Sequence, residues 1–288
     1  MPIQQMLLGV GAGTAEGQVV LTNPTTSWTV PAGVESVSVV CIGAGGCGAT
    51  NGAGGGALAY GNNISVTPGS SITVSIGAQN DTRSTNGGDT WFSADTVLKA
   101  QGGRWAQNLT SASSGSARTG GGTGGAGGVD ASFWSSHARG GGGGAGGYNG
   151  NGGNGGHQGF GTPNLNPATA GGSDAAGGGG YSSFSSAACD GGGGGGGSGL
   201  IGTSSSSTGG SAGDSYVSAE SDIKSGGDGQ GNANHNTVGR MSGGQYGGGS
   251  GGFGSSSCSE DTFGGAGAIR IIWPGDSRSF PNTNCGDV

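Results

Sequence analysis

The clearest pattern along the chain is a two-residue alternation of apolar and polar positions in short runs. In the run 36–41, Val37, Val39 and Cys41 alternate with Ser36, Ser38 and Val40, and the run 72–76 alternates isoleucine and valine with polar residues. This period is typical of half-buried strands, and Asn23-Pro24 and Pro68-Gly69 supply turn signals between such runs. The other predicted strands are Val19–Thr22, Ser27–Val30, Ala57–Tyr60, Thr90–Phe92 and Val97–Ala100. Their spacing predicts an antiparallel sandwich or barrel.

A further apolar run lies far from the others, at Ala268–Trp273 (AIRIIW). A hydrophobic strand this far from the others needs a sheet to join, so we expect it to return to the β-domain near the amino terminus. The predicted organisation is an attachment segment at 1–17, a β-sandwich at 18–105, a glycine-rich insertion at 106–265, and the returning strand with a carboxyl-terminal tail at 266–288.

Glycine makes up 78 of the 288 residues and is concentrated in the predicted insertion. This zone shows neither the helical nor the strand period, and its composition by default favours disorder. A second solution is a bundle of polyproline-II-type helices, in which glycine lets backbones approach closely and hydrogen-bond to one another. Because apolar strands bracket the zone, we expect an ordered insertion. The predicted fold is all-β, a small antiparallel sandwich carrying a long insertion folded as a polyglycine-II bundle.

Composition and charge exclude several classes of function. The formal net charge is −7 and only 9% of residues are charged, without a basic stripe of the kind that contacts nucleic-acid phosphates. The longest apolar stretches, Val37–Ile42 and Ile269–Trp273, are far shorter than the ~18 residues of a spanning helix. We therefore expect neither nucleic-acid binding nor membrane insertion.

The sequence predicts no catalytic, cofactor or metal site. Ile42-Gly43-Ala44-Gly45 follows a strand, but no helix-forming stretch and no lysine follow it, which argues against a nucleotide site. The histidines His137, His157 and His235 have no cysteine or carboxylate at a metal-finger spacing. A glycan depolymerase would need paired carboxylates in one cleft. Glu260 and Asp261 are merely adjacent, so no catalytic residue is assigned.

The five cysteines are odd in number and irregularly spaced, which predicts free thiols or at most one or two bridges. Cys41 lies in a predicted strand, where a buried apolar role is the common one. Pairing of Cys41 with Cys47 across a turn remains the alternative.

Several segments resemble the glycine-rich domain of bacteriophage tail-fibre and other virion proteins. The resemblance rests on SWTVPAGVESVSVVCIGAGGCG and GGGALAYGNNISVTPGSSITVSIGAQN, and the termini MPIQQMLLGVG and GGAGAIRIIWPGDSRSFPNTN are similar to those of proteins from tailed phages, marine cyanophages especially. The middle is similar, in composition, to the polyglycine-II bundles of phage tail-tip adhesins. The resemblance implies a virion location, other tail proteins as partners, and contact of the bundle's distal turns with a host receptor or glycan. Fibres of this type are commonly trimers, although no heptad or triple-stranded motif stands in this sequence.

Aromatic residues recur between the glycine tracts and have two interpretations. They either contact a receptor from end turns, as aromatics do at binding hot spots, or form small apolar caps on the bundle. Caps are favoured for Phe133, Trp134, Phe160, Phe184 and Phe253. For the tyrosines both interpretations stay open, so the candidate receptor-contact residues are Tyr148, Tyr181, Tyr216 and Tyr246.

The predicted function is therefore that of a non-enzymatic tail-fibre or tail-tip protein that contributes to host attachment. The alternative is a purely structural fibre or adaptor subunit without receptor contact. An ice-binding or matrix protein is a different class, but an ice-binding face requires a regular repeated array that the sequence does not display.

Overall fold

The fold is taken from a computed structural model of the chain. The described residues are 15–49, 51–79, 82–105, 111–129, 140–158, 165–166, 169–172, 175, 194–200, 202, 242–252 and 263–285. Within them the secondary structure is β, with one 3-10 turn at Thr283–Cys285 and no α-helix. None of these residues forms a helix long and apolar enough to span a membrane. The predicted all-β class is confirmed.

In the described part of the chain, eleven strands form two larger antiparallel sheets and one short antiparallel pair. They are β1 (Gly17–Leu21), β2 (Ser27–Thr29), β3 (Ser36–Ile42), β4 (Leu58–Ser65), β5 (Ser71–Ser75), β6 (Thr90–Phe92), β7 (Leu98–Ala100), β8 (Ser113–Ser114), β9 (His157–Gln158), β10 (Leu165–Asn166) and β11 (Ala268–Trp273). The first sheet has the order β1-β11-β3-β4, the second has the order β2-β5-β6-β7-β8, and β9 pairs with β10.

The late strand β11 lies in the middle of the first sheet. It pairs with β1 in the register Val19↔Ile271 and with β3 in the register Ile271↔Val39. Both neighbouring strands end before residue 43, so more than 200 residues of sequence separate them from β11. A strand in this position is buried on both faces, which explains why AIRIIW shows little polar alternation.

The two sheets pack face to face around a sandwich core. On β3 the side chains of Val37, Val39 and Cys41 face this core, as the alternation predicts, with a bulge between Val37 and Val39. Buried side chains of the second sheet and of β11 complete the sandwich core: Val74, Phe92, Leu98, Ala100, Ile269 and Ile271. Cys41 is a free thiol within it, so the alternative of a Cys41–Cys47 disulfide is not formed.

The other face of the first sheet is also covered, by a second cluster that we call the outer core. Val40 and Ile42 of β3 and Ile272 of β11 contribute to it from the sheet. Its other members come from distant parts of the chain: Leu58, Tyr60, Tyr148, Leu200, Tyr246, Ala268, Phe280 and Cys285. The first sheet is thus the middle layer of three, which explains why Val40 is apolar where a solvent-facing position would be polar.

Candidate functional site: the glycine bundle and its far end

Glycine segments continue directly from the strands of the two sheets. β3 ends at Ile42 and is followed by Gly43, segment 52–57 leads into β4, and segment 263–267 leads into β11. These segments belong to one network of backbone hydrogen bonds, which we call the glycine bundle. Its other segments are 43–48, 85–88, 101–104, 120–129, 140–147, 150–156, 194–198 and 242–252. It extends beyond the predicted insertion at 106–265, since four of its segments precede residue 105.

The hydrogen bonds of the bundle repeat every three residues. From Gly52 to Leu58, seven consecutive N–H groups are donated in rotation to three neighbouring segments. Gly52, Gly55 and Leu58 donate to 122–128, Ala53 and Gly56 to 247–250, and Gly54 and Ala57 to 101–104, at 2.7–3.0 Å. A strand would donate in two directions and an α-helix internally, so a three-residue rotation identifies polyproline-II-type helices bonded to one another. In the described residues the backbone bonding is therefore that of a polyglycine-II bundle.

Close backbone approach explains why these positions are glycine. A Cβ on Gly55 would lie 2.1 Å from the Gly144 carbonyl oxygen, and one on Gly124 would lie 1.9 Å from the Gly55 oxygen. Both distances are far inside van der Waals contact, so a side chain there would push neighbouring helices apart. The bundle therefore has a core made of backbone hydrogen bonds, which compensates for the scarcity of apolar residues.

Two buried arginines, Arg270 and Arg278, form hydrogen bonds between the first sheet, the glycine bundle and the carboxyl-terminal tail. Arg270 of β11 is 1% exposed, and its Nη1 donates to the Leu200 carbonyl at 3.0 Å while its Nε donates to Oε1 of Gln18 at 3.1 Å. Arg278 donates from Nη1 to the Gly17 carbonyl at 2.7 Å. The guanidinium groups thus connect the end of glycine segment 194–198, the first strand and the tail by charge-assisted hydrogen bonds.

The carboxyl-terminal tail lies over the outer core. Phe280 is 1% exposed and its ring stacks on Tyr148, with a centroid distance of 5.8 Å and an interplanar angle of 16°. Nearby, burial raises the pKa of the Cys285 thiol, and the charges of Arg270 and Arg278 partly oppose that effect. The tail therefore completes the packing that holds the bundle against the first sheet.

Two of the four candidate contact tyrosines lie inside the protein. Tyr148 is 3% exposed, with its hydroxyl donating to the Gly199 carbonyl at 3.2 Å, and Tyr246 is 1% exposed. They pack in the outer core, whereas the sequence left surface contact and an apolar packing role equally open for these tyrosines. Tyr181 and Tyr216 lie outside the described residues, where receptor contact stays a prediction. The predicted caps at Phe133, Trp134, Phe160, Phe184 and Phe253 also lie outside them.

The far end of the bundle is the end opposite the sheets. The pairs Gly52–Gly128, Gly141–Gly156 and Gly252–Gly140 lie there, whereas Leu58–Gly122 lies beside the first sheet. The side chains of Arg83 and Asn86 are exposed in a loop that bonds through Thr85 to Cys47, near this end of the bundle. Trp105 is 43% exposed beside them, and its backbone N–H donates to Oδ1 of Asn86 at 3.1 Å. The sequence reasoning did not select Trp105, although it is a tryptophan immediately after a glycine segment.

The histidines give no sign of a metal centre in the part of the chain that the structure describes. His157 begins β9, whereas His137 and His235 lie outside the described residues. No group of three or more His, Cys, Asp or Glu side chains in the described ranges could hold a metal ion.

A triplet spacing is the sequence signal that was missed. Non-glycine residues recur every third position in GGTGGAGGV, at Thr123, Ala126 and Val129, and in NGGNGGH, at Asn151, Asn154 and His157. Thr123 and Ala126 are partly exposed and Asn151 and Asn154 are exposed, while most of the glycines between them are buried. A three-residue period, applied beside the strand and helix periods, would have placed these two segments at the surface of a bundle.

The comparison with protein families agrees with this description. A family model described as a glycine-rich domain matches residues 21–221, more than half of the chain. No curated protein matches the chain.

Proposed function

Since this chain belongs to the glycine-rich domain family, we propose that it is a non-enzymatic structural protein of a tailed-phage virion, a tail-fibre or tail-tip component. In this proposal the β-sandwich docks to other tail proteins and the glycine bundle holds a host-contacting end away from them. The observation that carries the proposal is the three-residue hydrogen-bond rotation, which makes the bundle a stiff continuation of the sheets.

Stiffness matters for such a role because a contact presented by an ordered support loses less conformational entropy on binding. Consecutive donors of one segment bond to three different neighbours, so a segment cannot slide without breaking bonds in three directions. The segments that run outward from the sheets and those that return meet at the far end, where Trp105, Arg83 and Asn86 are exposed. That end is the part of the described structure that fits a contact surface.

The experiment that tests this proposal is a cell-binding measurement. Fluorescently labelled purified chain is incubated with candidate host cells and with a non-host strain, before and after the surface glycan is stripped. Selective, saturable binding supports host attachment, and its loss after stripping identifies a glycan receptor. A Trp105→Ala variant, compared with Trp91→Ala on strand β6 as a matched control, shows whether the far end makes the contact.

A purely structural subunit without receptor contact is the second candidate. It is favoured by the burial of Tyr148 and Tyr246, which removes two of the four predicted contact residues from the surface. A chain that is folded by circular dichroism, binds no cells and co-purifies with tail proteins would support it.

A further inference from the structure

Asparagine followed by glycine occurs at five places in the sequence, all of them in the part of the chain that the structure describes. The pairs are Asn51-Gly52, Asn86-Gly87, Asn149-Gly150, Asn151-Gly152 and Asn154-Gly155. Such a pair is chemically reactive, because the glycine nitrogen can attack the asparagine side chain and glycine has no Cβ to hinder the approach. The attack needs a nitrogen that is able to lose its proton and to move towards the side-chain carbon. The hydrogen bond of each glycine N–H therefore decides which pair can react in the folded chain.

In four of the five pairs a backbone hydrogen bond of the bundle holds the glycine N–H. These bonds, 2.8–3.0 Å long, are Gly52–Gly128, Gly87–Gly103, Gly152–Thr123 and Gly155–Ala126. Asn151 and Asn154 are also held by their side chains, whose Oδ1 atoms accept backbone N–H groups at 3.0 and 2.9 Å. Reaction at these pairs requires that the bundle first open locally.

Gly150 differs from the other four glycines because it is the first residue after a chain reversal. Segments 140–147 and 150–156 run antiparallel, joined by bonds one helical turn apart: Gly141–Gly156, Gly144–Gly153 and Gly147–Gly150, at 2.8–2.9 Å. The earlier segment supplies all three N–H groups, so Gly150 contributes its carbonyl group to this pairing. Among the described residues, the N–H of Gly150 has no hydrogen-bond acceptor.

The reversal is also accessible to water. Asn149 is exposed and Gly150 is partly exposed. Exposure alone does not select this pair, because Asn151 is exposed and Gly152 is partly exposed as well. The two pairs differ in the hydrogen bond of the glycine N–H, so Asn151-Gly152 is a matched internal reference for Asn149-Gly150.

We propose that Asn149 is a site of spontaneous covalent modification, where the folded chain converts asparagine to aspartate and isoaspartate ahead of its other Asn-Gly pairs. The Gly150 nitrogen bonds to Cγ of Asn149 as the Cγ–Nδ2 bond breaks, and the Gly150 amide proton leaves with Nδ2 as ammonia. Water then opens the five-membered succinimide ring. Attack at Cγ gives aspartate, and attack at the backbone carbonyl carbon gives isoaspartate, whose main chain is longer by one methylene group. The reaction does not depend on host attachment.

The modification changes a connection beside a buried aromatic residue. Tyr148 precedes Asn149, is 3% exposed and stacks on Phe280. Isoaspartate at position 149 lengthens the main chain between Gly147 and Gly150, whose hydrogen bond closes the reversal. Both products also place a new negative charge at this exposed position. The reaction therefore alters the link between two helices of the bundle.

The test is a time course of the purified full chain in mildly alkaline buffer, quenched in acid, digested with pepsin and analysed by mass spectrometry. Replacement of the amide NH2 by OH raises the peptide mass, and electron-transfer fragmentation assigns the change to Asn149, Asn151 or Asn154. We expect Asn149 to convert at least about tenfold faster than Asn151, because Asn151 reacts only after local opening. In the chain unfolded by guanidinium chloride, the two asparagines should convert at similar rates.

Equal rates at Asn149 and Asn151 in the folded chain would overturn the proposal. An Asn149 that stays unmodified in the folded chain while the unfolded chain converts would overturn it as well. Asn149→Gln is the control, since attack on the longer side chain requires a six-membered ring and is much slower. This variant should lose the early modification and keep the slow conversion at Asn151. A fast conversion at Asn151 in the variant would contradict the protection assigned to the Gly152 hydrogen bond.

Discussion

The side-chain amide of Asn62 forms two hydrogen bonds with the backbone of Phe280. Nδ2 donates to the Phe280 carbonyl at 2.6 Å, and the Phe280 N–H donates to Oδ1 at 2.9 Å. The amide thus bonds to the tail as a neighbouring strand would, from a residue in β4 that precedes Phe280 by 218 positions. Because the Phe280 ring packs on Tyr60 and Tyr148, this pair fixes the tail over the outer core.

Replacement of Asn62 by alanine is expected to loosen the tail. The change removes both hydrogen bonds and leaves two partly buried backbone groups of Phe280 without this partner, which costs about 1–3 kcal/mol. Urea unfolding measures the loss, and amide exchange at Phe280 should accelerate together with that of residues 275–285. Asn282→Ala, an exposed tail asparagine bonded to Ser279, is the control and should change stability by less than about 0.5 kcal/mol. Equal effects of the two variants would contradict the assigned role.

The strands could be predicted from the sequence because their signal is local. The alternation in β3 and β5 and the isolated apolar run of β11 reflect burial that each strand imposes on its own residues. The Asn62–Phe280 pair has no such signal, since it joins positions with nothing in common along the chain. The aromatic residues show the same limit, because Tyr148 stands among glycine and asparagine like a loop residue and is buried by the distant Tyr60 and Phe280.

The extent of the bundle was underestimated for a related reason. The sequence prediction includes segments 43–48 and 52–57 in the β-sandwich at 18–105, because glycine is most concentrated after residue 105. Their glycines bond to partners up to 220 residues away, such as Gly45 to Gly265 and Gly56 to Gly247. A core made of backbone bonds leaves little trace in side-chain hydrophobicity, so glycine content indicated the bundle without giving its partners.

A single methyl group inside the bundle is expected to be destabilising. Gly125→Ala would place a Cβ 2.0 Å from the Gly153 carbonyl oxygen, so two helices must separate or lose hydrogen bonds. Overpacking of this kind costs about 1–3 kcal/mol, which corresponds to a fall in Tm of roughly 2–12 °C for a chain of this size. Thermal melting by circular dichroism measures the shift.

The adjacent residue provides the control for that prediction. Ala126→Ser changes a partly exposed side chain on the same helix and should leave Tm within about 2 °C. Gly194→Val, whose Cβ would lie 2.0 Å from the Ser242 oxygen, should be at least as harmful as Gly125→Ala. Wild-type melting of both glycine variants would refute the backbone-bonded core.

Arg270→Met is expected to weaken the attachment of the bundle to the first sheet. Methionine fills a similar volume but removes the donors to Leu200 and Gln18, leaving their oxygens without these bonds. A loss of about 2–4 kcal/mol follows from the loss of the charge-assisted bonds from Nη1 to Leu200 and from Nε and Nη2 to Gln18. Urea unfolding gives the magnitude, and amide exchange should accelerate more in 194–200 than in β3.

Lys99→Met is the control that distinguishes the loss of the Arg270 hydrogen bonds from the loss of a positive charge. Lys99 forms a surface ion pair with Asp89 at 3.0 Å, and surface pairs contribute only ~0–1 kcal/mol. Lys99→Met should therefore cost less than about 1 kcal/mol. If it costs as much as Arg270→Met, the anchoring role of Arg270 is wrong.

Stability is expected to fall in alkaline solution because of the Cys41 thiol. Burial in the sandwich core raises the pKa of Cys41 well above its ordinary value of 9.0. Above about pH 9 the unfolded chain loses this proton while the folded chain keeps it, so the unfolded state binds fewer protons and is favoured as pH rises. The contribution approaches about 1.4 kcal/mol per pH unit. Burial also raises the pKa of Tyr60, although Arg118 opposes it, and the tyrosine acts in the same direction above pH 10.0.

Cys41→Ala isolates the thiol, because the other titrating groups remain in both proteins. The smaller alanine side chain lowers the free energy of unfolding by an amount that does not depend on pH. The decrease of that free energy with rising pH that Cys41 causes is absent from the variant. Urea unfolding at pH 8 and pH 10 should therefore show a smaller decrease for the variant, by about 1 kcal/mol. An equal decrease in the two proteins would show that Cys41 ionises without unfolding, which a fully buried thiol in the sandwich core should not do.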